Sequence, residues 1–104
     1  MVRILKQCQK EIADFPEDIR GDLADLVARL DSGLMLSMPI SRPMPSIGKG
    51  VHELRLKDRS GIYRVIYVFL GHADIWLLHG FKKKTQSTPQ QNIELAQRRL
   101  KEVL

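Results

Sequence analysis

Two hydrophobic periods run along the chain, and they divide it into helices and strands. Within residues 17–31, Ile19, Leu23, Leu26, Val27 and Leu30 fall at i, i+4, i+7, i+8 and i+11. That spacing lays one apolar stripe along a helix. Pro16 suits its first turn, where a missing N–H costs nothing. Glu17, Asp18 and Asp22 sit near the positive end of the helix dipole, and Gly33 supplies a C-terminal stop. Lys6–Ala13 predicts a shorter helix before it, making a helical hairpin. Val2–Leu5 is an apolar run that suits a short edge strand.

From Val51 the period changes to two. His52, Leu54 and Leu56 alternate with Glu53, Arg55 and Lys57. Asp58-Arg59-Ser60-Gly61 reads as a turn. Ile62–Leu70 is rich in β-branched and aromatic residues and apolar on both faces, as a central strand is. Gly71-His72-Ala73-Asp74 is the next turn, and Ile75–Phe81 the third strand of a meander. A two-residue loop at Arg59-Ser60 sets Arg55 opposite Arg64 and Leu54 opposite Val65. Leu54, Leu56, Tyr63, Val65 and Tyr67 then share one face, and Arg55, Lys57 and Arg64 the other. A one-residue slip would drive Arg64 onto the apolar face, so burial favours this register.

Between the helical hairpin and the meander, Leu34–Gly50 carries Pro39, Pro43, Pro45, Gly48 and Gly50 and reads as a long irregular connection. Met35, Met38 and Met44 are expected to pack it onto the core. After the meander, Thr88-Pro89-Gln90-Gln91 reads as a capping box. It opens a helix with Ile93, Ala96, Leu100 and Val103 on its apolar face and Arg98, Arg99 and Lys101 on its solvated face. The pattern predicts one α+β domain over residues 1–104. Two N-terminal helices pack on a small antiparallel sheet, a three-stranded meander with a candidate N-terminal edge strand, and a C-terminal helix follows.

Charge sharpens this picture. The chain has a net charge of +5, and all of that excess resides between Lys49 and Lys84, where eight basic residues face three acids. Cations concentrated on a rigid sheet suit a polyanion, nucleic acid first. The single cysteine, Cys8, cannot form an internal disulfide, which suits a reducing cytoplasm. No apolar run is long enough to span a membrane or to serve as a signal peptide. His52, His72 and His79 fall on separate elements without ligand spacing, so neither a metal nor another cofactor is expected.

The candidate chemistry gathers at one end of the meander. Like charges directly opposite across strands are destabilising, so the Arg55–Arg64 pair points to use. The third strand returns to the start of the second, bringing Phe81 and Lys82-Lys83-Lys84 near Arg64. Phe81 suits either the core or stacking on a base. His79 is either a packed strand residue or a proton donor beside the cluster. The lysine triplet is either a binding patch or a device that keeps a strand edge soluble.

The run GVHELRLKDRSGIYRVIYVFLGHADIWLLHGFKKKTQSTP (residues 50–89) resembles the phage-derived HigB-type branch of the RelE toxin superfamily. The shared pieces are G-x-x-E-L-R at Gly50–Arg55, Y-R-V-x-Y at Tyr63–Tyr67 and L-H-G-F-x-K-K-T…T-P at Leu78–Pro89, with DFPEDIR upstream. The resemblance implies a RelE-like fold. It also implies the toxin of a type II toxin–antitoxin pair, an mRNA endoribonuclease acting at the ribosome, without metal, through Arg and Lys. Its partners would be mRNA, the ribosome and a helix-turn-helix, HigA-like antitoxin. Carried over by position, Arg64 holds the scissile phosphate and Lys83 is the second cation. Arg55 joins them as a catalytic candidate. Lys57, Lys82, Lys84, Phe81 and His79 are the RNA-binding candidates.

Overall fold

The computed structural model describes residues 1–71, 73–84 and 87–104. The elements run β1 (Val2–Ile4), α1 (Lys6–Ala13), α2 (Glu17–Asp31), β2 (Ser41–Pro43), β3 (Val51–Asp58), β4 (Gly61–Phe69), β5 (Ile75–Lys83) and α3 (Gln90–Val103). They form an α+β fold around one five-stranded sheet of order β1-β5-β4-β3-β2. β1 pairs parallel to β5, and every other pairing is antiparallel. No helix among the described residues is long and apolar enough to cross a membrane.

The two faces of the sheet carry two cores. Leu54, Leu56, Tyr63, Val65, Tyr67 and Leu77 face α1 and α2, and meet the α2 stripe Ile19, Leu23, Leu26 and Leu30. Val51, Ile66, Val68 and Leu78 face α3 and pack on Ala96 and Leu100. β4 is covered on both sides, which is why its sequence is apolar at both parities. The hairpin closes at Asp58↔Gly61 and puts Arg55 opposite Arg64 and Leu54 opposite Val65, as the alternation requires. Asp58 Oδ1 accepts from Ser60 N at 2.7 Å and fixes the turn.

Several expectations need correction. The connection 34–50 is not wholly irregular: Ser41–Pro43 adds a fifth strand, pairing Ser41 with Leu54 and Arg42 with Glu53. Met44 does pack in the core, but Met35 and Met38 remain exposed. Thr88 does not cap α3: Pro89 is the N-cap residue, no side chain among the described residues caps the helix, and the Thr88 hydroxyl donates to Glu53 Oε2 at 2.7 Å. Arg99 leaves the solvated face and is buried. His72, assigned to the β4–β5 turn, lies outside the described residues.

A β-bulge in β5 decides which side chains reach the site. Ile66 pairs with His79 but Tyr67 with Leu77, so Leu78 is the extra residue. Beyond it the parity of β5 reverses. Phe81 falls opposite Arg64 and Lys83 opposite Ile62. An unbulged strand would have presented Lys82 and Lys84 on the Arg64 face instead.

Beyond β1, the outer edge of β5 is protected by α1. Leu5 N donates to Leu77 O, the last backbone bond on that side among the described residues. Gly80 N then donates to the Glu11 carboxylate at 3.0 Å. The same carboxylate takes both Arg99 terminal nitrogens, at 2.7 and 3.0 Å, and His79 Nδ1 at 3.0 Å. Glu11 thus ties α1, β5 and α3 together, satisfying a buried backbone donor on the way. Burial pushes its carboxyl up, but bonds from His79, Arg99 and Gly80 more than offset this and hold it at about 2.

Candidate active site

Rows of directly opposed residues on the α3-facing side build the site. One row is Arg42, Glu53, Ile66 and His79. The next is Arg55, Arg64 and Phe81, and the last is Lys57, Ile62 and Lys83. α3 covers the far end of this face, leaving the basic rows beside the hairpin. Arg55 is directly opposite Arg64, about 5 Å between Cβ atoms, and Lys83 opposite Ile62 is the diagonal neighbour of Arg64, about 7–8 Å away, so the three form one cluster.

Arg64 and Lys83 are only 5% and 6% exposed. Charged groups are almost never buried so deeply unless paired, and the pair for Arg64 is Glu53. Arg64 Nε lies 3.3 Å from Glu53 Oε1, and Glu53 is fully buried. The two atoms are misaligned for a hydrogen bond, so their attraction is electrostatic. Thr88 holds the other carboxylate oxygen, and Arg64 Nη1 donates to Tyr63 O at 3.2 Å. These contacts fix a guanidinium that lines a cleft between β3 and residues 39–40.

One carboxylate stands against several cations here, and the titration behaviour follows. Burial lowers the Lys83 pKa, Arg64 lowers it further, and Glu53 only partly opposes them. Burial likewise lowers Arg64, with Glu53 opposing and Arg55 and Arg42 adding to the fall. Arginine remains charged even so. The site is therefore a preorganised pocket of positive charge with one lysine moved toward neutrality.

The expected site residues divide clearly. Arg64, Lys83, Arg55 and Lys57 come together on one face. Lys84 is exposed beyond the end of β5. Lys82 points to the opposite face, its Nζ 5.9 Å from the Tyr63 ring centroid. His79 and Phe81, each of which suited either packing or an RNA contact, are both buried. His79 Nδ1 meets Glu11, its Nε2 lies 2.7 Å from Asn92 Oδ1, and its ring stacks on Phe81 with centroids 5.0 Å apart.

Sequence reasoning missed Glu53 and Thr88. Glu53 had a signal: it is the one acid on a strand face otherwise basic or apolar, opposite Ile66. Thr88 had none, because its side chain fitted a helix cap equally well. Cys8 is buried and its thiol is pushed up to about 12, chiefly by burial, so it offers no nucleophile. Among the described residues, no three or more His, Cys, Asp or Glu side chains gather as a metal site would need.

Residues 10–101 match the family described as Phage derived protein Gp49-like (DUF891). Among solved structures, the chain is similar to the E. coli toxin RelE in a doubly substituted free form. The TM-score is 0.53 at 14% identity, over 100% of this chain and 97% of that one. Comparison with curated proteins gave no match. Most of the chain matches one family and all of it superposes on one fold: this protein belongs to the phage-derived Gp49-like family, and its fold is that of the RelE-like toxins.

Proposed function

We propose that the chain is the toxin of a type II toxin–antitoxin pair and that it cleaves mRNA at the ribosome without a metal. The observation that carries this reading is the cluster of Arg55, Arg64 and Lys83, held on a rigid sheet around one buried carboxylate. Two arginines directly opposed, with a desolvated lysine beside them, are costly to fold and suited to an oxyanion. Family membership and the RelE-like fold support the same conclusion. A small helix-turn-helix, HigA-like antitoxin is the proposed partner.

In the proposed reaction the 2′-oxygen of one nucleotide forms a bond to the adjacent phosphorus. The bond from phosphorus to the 5′-oxygen breaks. The 2′-hydroxyl proton leaves to a base and a proton reaches the departing 5′-oxygen, giving a 2′,3′-cyclic phosphate and a 5′-hydroxyl. Negative charge grows on the phosphoryl oxygens at the transition state. Arg64 and Arg55 are placed to bind that charge more tightly than they bind the ground state. Lys83, its pKa lowered by burial and by Arg64, is the group suited to proton transfer.

Induction of the chain in bacteria, with mapping of mRNA 5′ ends over the first minutes, tests the proposal. New ends inside translated frames are expected. They should fall by about 10²–10³ with Arg64→Ala, and Lys83→Met should also slow cleavage at unchanged protein level. A non-catalytic RNA-binding module would give no cuts at all, and its effects would follow affinity and salt.

A further inference from the structure

The Arg64 face continues into an apolar cleft that phosphate chemistry does not need. The cleft has a volume of about 430 Å³ and is lined by Pro39, Ile40, Leu56 and Ile62 together with Arg55, Lys57 and Arg64. That is the size of a small-molecule site. Ile62 is 39% exposed and lies on the basic face, in the row between Lys57 and Lys83. An aliphatic side chain left open among cations calls for an occupant that is apolar on its faces and anionic beside them. Among the described residues, no acid lines the cleft.

The backbone adds hydrogen-bonding capacity. The ladder between β2 and β3 stops at Leu54, and Arg55 N donates onward to Ile40 O at 2.8 Å. Alternation in an antiparallel strand turns the N–H and C=O of Lys57 to that same side. There they have no ladder partner among the described residues. One donor and one acceptor thus lie at the open edge of β3 beside Pro39 and Ile40, while Ile62 lies across the strand on the β4 side.

We infer that this cleft is a nucleobase subsite. It takes the base of a nucleotide adjoining the phosphate at Arg64 and Arg55, and so confers sequence preference on the cut. The inference rests on the proposed RNA-cleaving function. Aliphatic walls and the Lys57 backbone replace the aromatic platform that the buried Phe81 and His79 cannot provide. A cleft this small, rimmed by three cations, fits one base better than a strand of a protein partner.

The test uses the purified, isotope-labelled chain and 2′-O-methyl RNA tetranucleotides, which bind but cannot react. One set varies a single base, and one member is abasic at that position. Amide shifts at Ile40, Lys57 and Ile62 are expected to depend on the base and to vanish for the abasic member. Ile62→Ala, on an exposed position, should keep its melting temperature. It should narrow the affinity gap between the best base and the abasic site by roughly tenfold. Identical cleft shifts with and without the base would overturn the subsite. So would an unchanged gap in Ile62→Ala, or cleft shifts produced by the antitoxin alone. Base-independent shifts at Arg55 and Arg64 would leave the RNA-cleaving reading standing. The absence of any shift there would count against that reading itself.

Discussion

Replacing Glu53 by Gln tests whether the basic face is the low-dielectric cluster described above. The substitution keeps shape and leaves an amide for Thr88, but it removes the charge that faces Arg64 at 3.3 Å. At an effective dielectric of about 20, two unit charges at that separation attract by roughly 5 kcal/mol. Breaking a buried pair from one side typically costs about 3–5 kcal/mol, because the remaining charge stays buried. Arg64 would then face Arg55 and Lys83 with no counterion. Allowing for the amide, the expected loss is about 3 kcal/mol, or roughly 12–24 °C in Tm for a domain near this size. Urea unfolding followed by circular dichroism at neutral pH measures it. The companion variant, Glu53→Leu with Arg64→Leu, should recover most of the loss, since apolar replacement of a whole buried pair is close to neutral. That double variant should still be inactive. A cost below about 0.5 kcal/mol for Glu53→Gln, with unchanged urea dependence, would rule out a buried Glu53–Arg64 pair. The pair would then be solvated and the site not preorganised by burial.

Three further outcomes follow from the geometry. Glu11 has a carboxyl pKa lowered to about 2 from 4.5, so its stabilisation is complete above pH ~4.5 and fades as pH falls toward 2. Because the group is only half-buried, roughly 1–2 kcal/mol is at stake after screening, and Glu11→Gln should flatten the acid limb of Tm against pH. Gly80→Ala would set a Cβ 3.2 Å from Phe15 Cζ and 3.4 Å from Ile12. Where α1 and α2 meet β5 there is little room, so a loss of about 1–2 kcal/mol in urea unfolding is expected. Lys83 is charged below its lowered pKa and neutral above it. The pH–rate profile should therefore bend below the ordinary lysine range, and both Lys83→Met and Lys83→Arg should remove that bend.

Much of this molecule was legible locally. The stripe in residues 17–31, the alternation in β3 and the Asp58–Gly61 turn each express a period or turn chemistry contained within a few residues. The hairpin register followed from them, and with it the Arg55–Arg64 opposition. The turn set the offset, and a slip of one residue would have buried a charge. The basic end of the sheet was likewise visible, because net charge is a property of the chain before it folds.

Other features are decided by contacts between residues far apart in sequence, and no local period encodes them. Glu53 and Arg99 look like surface charges by spacing. They are buried because Arg64 and Glu11 meet them across the fold, and an ion pair lowers the cost of burial only once both partners arrive. Thr88 suits a cap equally well until Glu53 competes for its hydroxyl. β2 is three residues long among prolines, and it becomes a strand only because β3 has an edge to pair. Above all, the bulge at Leu78 selects Lys83 from three consecutive lysines. The helices, the three-stranded meander, their apolar faces and the cationic end were all written in local sequence. The tertiary structure decided which charges enter the site, because parity after a bulge and burial against distant partners exist only in the assembled sheet.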